Sequence, residues 1–87
     1  MAKTMYIASG NICSERVRLG RALNNPPLSQ EDLAVKIQML GYENMTKTII
    51  SRIEQNKRHV CDIELRAIAL ALNVSMEWLV GDEKLVP

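Results

Sequence analysis

Apolar positions recur along the chain at helical spacing in five separate runs, divided by short polar or proline-bearing breaks. Ser14 can cap a first helix running to about Leu23, with Val17 and Leu23 facing inward and Arg16, Arg18 and Arg21 around them. Asn24-Asn25-Pro26-Pro27 stops it, because proline cannot continue a helix and pushes its predecessor toward extended angles. Ser29-Gln30-Glu31-Asp32 is a second start, a capping hydroxyl followed by acids in the first turn. Leu33, Ala34, Ile37 and Leu40 follow, with Gly41 as terminator. After Tyr42-Glu43-Asn44-Met45, Thr46 opens a third helix that ends near Gln55-Asn56, and Asn56-Lys57-Arg58-His59 forms a polar, basic loop. A fourth helix from about Asp62 to Leu72, capped by Cys61 or Asp62, is apolar around most of its circumference (Ile63, Leu65, Ile68, Ala69, Leu70, Leu72) and is expected at the buried centre. Asn73 ends it. Ser75 caps a last short helix with Met76, Trp78, Leu79 and Val80 up to Gly81.

No strand pattern, repeat or low-complexity tract interrupts this series, so the prediction is all-α: a compact five-helix bundle over residues 14–81. Residues 1–13 show no period and are expected as a flexible arm, and residues 82–87 as a tail. Trp78 is expected to plug the core with its indole N–H near the surface, and Met39, Met45 and Met76 to fill gaps in it.

The third run carries the most information. At about 100° per residue, Ile49, Ile53 and Ile50 share an arc of roughly 100°, while Lys47, Ser51, Gln55, Thr48 and Arg52 share an opposing arc of roughly 140°. A helix this short cannot hold itself together in water, so the isoleucines must dock it. Its outer side is then a row of donors suited to phosphates and base edges, and with the helix ending near Gly41 it makes a helix-turn-helix.

Composition agrees with a small aliphatic bundle. The 87 residues suit one domain, with no phenylalanine, one tryptophan and two tyrosines. The net charge of +1 says nothing about partners, but its distribution does: residues 46–60 sum to +3 and residues 61–87 to −3. A localised field of that kind steers a polyanion to one face. Cys13 and Cys61 lack metal-ligand spacing and read as reduced, partly buried thiols of a cytoplasmic protein. No apolar run is long enough for a membrane span, and the first residues do not form a signal peptide. Without a metal cluster, an activated nucleophile, a glycine-rich phosphate loop or paired carboxylates, an enzyme is not expected, and no cofactor or metal is called for.

Three segments in order, Leu28-Ser29-Gln30-Glu31-Asp32-Leu33-Ala34, Ile50-Ser51-Arg52-Ile53-Glu54-Gln55-Asn56-Lys57-Arg58 and Ile68-Ala69-Leu70-Ala71-Leu72-Asn73-Val74-Ser75-Met76-Glu77-Trp78-Leu79, resemble the phage repressor/Cro-type (Xre) family of helix-turn-helix proteins. The resemblance spans roughly Glu15 to Gly81. It implies a lambda-repressor-like five-helix bundle that regulates transcription, usually as a repressor, by binding a double-stranded DNA operator as a homodimer. By position it implies base contacts from Lys47, Thr48 and Arg52 in the major groove. The chemistry agrees: Arg and Lys donate to guanine, and Thr offers a hydroxyl or a methyl. It further implies a phosphate anchor at Gln30 and a structural ion pair between Arg21 and Glu54. Thr46, Ser51, Gln55, Asn56, Lys57 and Arg58 are the remaining candidates for DNA backbone contacts.

Two features depart from the family pattern. Pro26-Pro27 lengthens the first connection, and Gln38 to Asn44 lengthens the link between the second and third helices by about six residues, through extra helical turn, a wider turn, or both. Ile49 either packs under that connection or touches a thymine methyl. Arg16 and Arg18 read as surface charges. A rival reading is a protein-interaction module such as an antitoxin, with Asp82, Glu83 and apolar Ile63 or Leu70 marking a partner surface.

Overall fold

The computed structural model describes residues 10–81, which form five helices and no strand. They are α1 (Ser14–Leu23), α2 (Gln30–Met39), α3 (Lys47–Glu54), α4 (Asp62–Leu72) and α5 (Met76–Leu79). The first nine residues and the tail with Asp82 and Glu83 lie outside the described residues.

Local chemistry sets most helix ends. Ser29 accepts from the backbone N–H of Asp32 at 2.9 Å while the Asp32 carboxylate accepts from the Ser29 N–H at 3.0 Å, a reciprocal cap that holds the Asp32 carboxyl below its ordinary range. Thr46 accepts from the Ile49 N–H and Ser75 from the Trp78 N–H. Asn73 closes α4 in the left-handed conformation at φ 61°. The start of α1 differs from expectation. Cys13 occupies the capping position without a side-chain hydrogen bond, and Ser14 is the first helical residue. At α4 the flanking residue is Cys61, whose N–H donates to Glu64.

The core runs through all five helices: Val17 of α1, Leu33 and Ile37 of α2, Ile50 and Ile53 of α3, Ile68 and Leu72 of α4, Trp78 and Leu79 of α5. α3 packs on α2 and α1, and α4 on α2, α5 and α1. At the far end of the bundle α1 approaches α4 closely at Gly20, where a Cβ would lie 2.8 Å from Leu72 Cδ1 and would push that side chain aside. Arg16 closes that end from outside, its guanidinium 4.8 Å from the Trp78 ring centroid and donating to the Trp78 carbonyl at 2.7 Å.

Several packing expectations fail. Leu23, Met39 and Leu40 are substantially exposed, and Met76 lies at the surface, so Met45 is the one of the three methionines that fills the core. Trp78 is wholly buried, not tipped toward solvent. α4 is central on one face only (Ala67, Ile68, Ala69, Leu72), while Ile63 and Leu70 face outward. Periodicity identifies a helix and its moment, but the width of the buried stripe depends on how many neighbours pack on it. Cys13 is buried and its thiol is pushed up to about 11 by that burial, whereas Cys61 is exposed, and both are free thiols.

Candidate nucleic-acid interface

α3 is held by its inner side. Ile50 and Ile53 are fully buried and together contribute roughly 3–6 kcal/mol of apolar burial, enough to fix a helix that would be marginal alone. Beside them Glu54 is 5 % exposed, a charge that must be paired where it sits. Arg21 supplies the pairing bidentately, Nε to Oε2 at 2.6 Å and Nη2 to Oε1 at 2.8 Å. These hydrogen bonds hold the Arg21 guanidinium protonated above its ordinary value, against its own partial burial. Arg21 also donates to the Leu28 carbonyl at 2.9 Å, so one side chain ties α1, the Pro26-Pro27 connection and α3 together.

Gln30 joins the same cluster. Its amide Nε2 donates to Glu54 Oε1 at 3.0 Å, so in this structure the glutamine expected to anchor a phosphate is engaged with the ion pair at the foot of α2. The second Nε2 hydrogen is left for the phosphate contact expected of Gln30. Arg18, read from sequence as a surface charge, donates to the Glu54 main-chain carbonyl at 3.1 Å and is 59 % exposed along its side chain.

The outer side is open. Lys47, Thr48 and Arg52 are all exposed, and among the described residues their side chains make no hydrogen bond or ion pair. Ser51 and Gln55 lie on the same side but bond each other, Gln55 Nε2 to Ser51 Oγ at 2.9 Å. Thr46 accepts from the Ile49 N–H at 3.2 Å and keeps its hydroxyl hydrogen for another acceptor. Ile49 is half-buried and lines a cleft of about 320 Å³ with Tyr42, Met45 and Ile63, which places it under the long connection and away from the open row. That connection, residues 40–46, is folded onto the bundle. Met45 is buried, Gln38 Nε2 donates to its carbonyl at 2.6 Å, and the Tyr42 N–H donates to the Ile37 carbonyl. The extra length therefore lies in a wide, pinned turn, because α2 stops at Met39.

The loop after α3 divides into different roles. Lys57 is exposed and its side chain, like the open row, makes no hydrogen bond or ion pair among the described residues. Arg58 does not share that freedom. It pairs bidentately with Glu64 at 3.0 Å for both bonds, which raises the arginine above its ordinary value and lowers the glutamate, the hydrogen bonds being the main cause. The pairing links the loop to α4 and leaves other guanidinium hydrogens of Arg58 for the backbone contact expected of it.

Asn56 adopts φ 61° and its side-chain oxygen accepts from the Asn11 N–H at 2.7 Å. Sequence reading missed this partner. Asn11 also donates from Nδ2 to the carbonyls of Ile53 at 3.1 Å and Arg58 at 2.9 Å. Asn11, expected within a flexible arm, is thus hydrogen-bonded to the end of α3 and the loop after it. The one local signal was the Gly10-Asn11 pair, typical of a turn, and it says nothing about a partner more than forty residues away.

Among the described residues no group of three or more His, Cys, Asp or Glu could hold a metal, and no helix is long and apolar enough to cross a membrane. The arrangement is a short helix clamped on one side and carrying unengaged cations on the other, preceded by a helix across a pinned turn. That is the framework of a DNA-binding helix-turn-helix. The family model for the helix-turn-helix matches residues 28–79, more than half of the chain, and the chain belongs to that family. No curated protein and no solved structure shows a significant match.

Proposed function

We propose that this protein is a sequence-specific, double-stranded DNA-binding transcriptional regulator of the phage repressor/Cro type, acting as a repressor and binding as a homodimer. α3 enters the major groove, where Lys47, Thr48 and Arg52 meet base edges and Thr46, Ser51, Gln55 and Lys57 meet the flanking backbone. The observation that carries this reading is the contrast across α3: its buried side is fully paired, while three adjacent donors on the other side are exposed and unengaged. Gln30, Asn56 and Arg58, which also support the ion-pair cluster and the loop, complete the backbone contacts. No catalytic step or cofactor is involved, since occupying an operator is enough to exclude other proteins from it. Two free thiols suit a reducing cytoplasm.

Homodimerisation would place two copies of α3 about one helical turn (~34 Å) apart on a palindromic site. Exposed Ile63 and Leu70 on α4 are apolar side chains that a second copy could cover. The same two residues favour the alternative, an interaction module such as an antitoxin whose main task is to mask a partner protein.

Selection from a random double-stranded oligonucleotide pool tests the reading. It expects a defined, palindromic preferred sequence whose affinity falls steeply with salt. Enrichment of no sequence, together with a stable co-purifying protein partner, would favour the antitoxin reading instead.

A further inference from the structure

The loop that carries Lys57 is closed in two ways. Its own backbone closes it locally, with the Asn56 N–H donating to the Ile53 carbonyl at 3.0 Å and the Lys57 N–H to the Arg52 carbonyl at 2.9 Å around the left-handed Asn56. From outside, the two Nδ2 hydrogens of Asn11 divide between the Ile53 carbonyl in the last turn of α3 and the Arg58 carbonyl beyond it. One side-chain amide therefore bridges the backbone on both sides of residues 54–57. The Asn11 carbonyl oxygen is fixed in turn by the Cys13 N–H at 2.9 Å, which sets the amide's orientation from the start of α1. Gly10 makes the approach possible: it sits at φ +85°, and a Cβ there would run into the Asn56 side-chain and main-chain oxygens.

We infer that Asn11 is the positioning residue of the DNA-backbone contact, holding the loop so that Lys57 is presented to a phosphate beside the groove that α3 occupies. The inference rests on the DNA-binding reading above. Asn11 itself touches no DNA. It acts by fixing in advance the backbone from which Lys57 projects, so that less freedom is lost on binding. An effect of this kind is independent of sequence, because a phosphate contact carries no base information.

The test compares the wild-type chain with Asn11→Ala, Lys57→Ala, the double variant and Arg52→Ala. Each is titrated on the selected duplex and on a scrambled duplex over a range of salt concentrations. Asn11→Ser is a second probe: its hydroxyl still reaches the Cys13 N–H but cannot span two carbonyls, and it replaces Asn11→Ala if that variant is unfolded by circular dichroism. Asn11→Ala is expected to weaken both duplexes alike, by about three- to tenfold. It should also flatten the dependence of log affinity on log salt by about one counterion. In the Lys57→Ala background its effect should shrink to less than about twofold, since the contact it prepares is already gone. A folded Asn11 variant with wild-type affinity and salt slope, beside a weakened Lys57→Ala, overturns the inference and leaves the DNA-binding reading standing. So does a loss that persists undiminished without Lys57. Should neither Lys57→Ala nor Arg52→Ala weaken DNA binding, the reading itself falls and the inference with it.

Discussion

The two sides of α3 differ in a way that separates stability from recognition within eight residues. Inward, Ile50, Ile53 and Glu54 are buried, and every charge there has a partner: Glu54 meets Arg21 and Gln30 while Arg18 covers its main-chain carbonyl. Outward, the side chains of Lys47, Thr48 and Arg52 are exposed and make no hydrogen bond or ion pair among the described residues. A helix with satisfied polar groups on both sides would be a strut. One with a satisfied inner side and unengaged cations outside is a strut that holds donors ready for another molecule. The lesson is that a buried acid on such a helix belongs to the support, because an unpaired carboxylate facing DNA would repel phosphate.

Substitutions can break this contrast, beginning with the largest effect. Ile53→Ala should cost about 2–5 kcal/mol of folding stability, as a cavity in a fully packed site does. Glu54→Ala should cost about 3 kcal/mol of folding stability by leaving the partly buried Arg21 guanidinium without its partner, read as a lower midpoint in urea unfolding. Both inner-side losses should appear without DNA present. Arg52→Ala and Lys47→Ala should leave the unfolding free energy from urea titration within about 0.5 kcal/mol of wild type, as exposed positions do. They should nonetheless reduce discrimination at one base position by about 1–3 kcal/mol in competition binding.

The smallest effect concerns the second ion pair. Glu64 is held below the ordinary glutamate range by Arg58, so its carboxylate stabilises the fold at neutral pH. Because the folded-state value is depressed, that contribution is present above about pH 4.5, the ordinary value, and is lost as pH falls below it. Glu64→Gln should therefore cost about 1 kcal/mol or less at pH 7 and make the acid limb of the stability profile shallower. Equal acid sensitivity of wild type and variant would remove the pair from the account of the loop.

What was legible in the sequence depended on range. The caps at Ser29, Thr46 and Ser75 are contacts three residues long, so the letters alone specify them. The docking side of α3 was equally plain, because three isoleucines in eight residues leave one way to bury them. Leu23, Met39 and Leu70 were misread as inward because their exposure depends on where neighbouring helices end, which periodicity does not contain. Lys57 and Arg58 are adjacent cations with the same sequence signal, yet Arg58 is taken up by Glu64 six residues on while Lys57 is not. Asn11 was invisible for the same reason at greater range, its partners lying 42 to 47 residues away. The candidate base-reading residues lie on the outer arc of α3, but the family resemblance singled them out from Ser51 and Gln55 there, and the supports around them needed the fold.

The most direct measurement is the oligonucleotide selection run in parallel on wild type, Lys47→Ala and Arg52→Ala, each first matched to wild type in its unfolding curve. The expected result is a palindromic preferred sequence for wild type and, for each variant, lost information at a symmetric pair of positions with the rest of the site retained. Variants that return the wild-type sequence with undiminished information at every position would contradict the claim that the open side of α3 reads DNA.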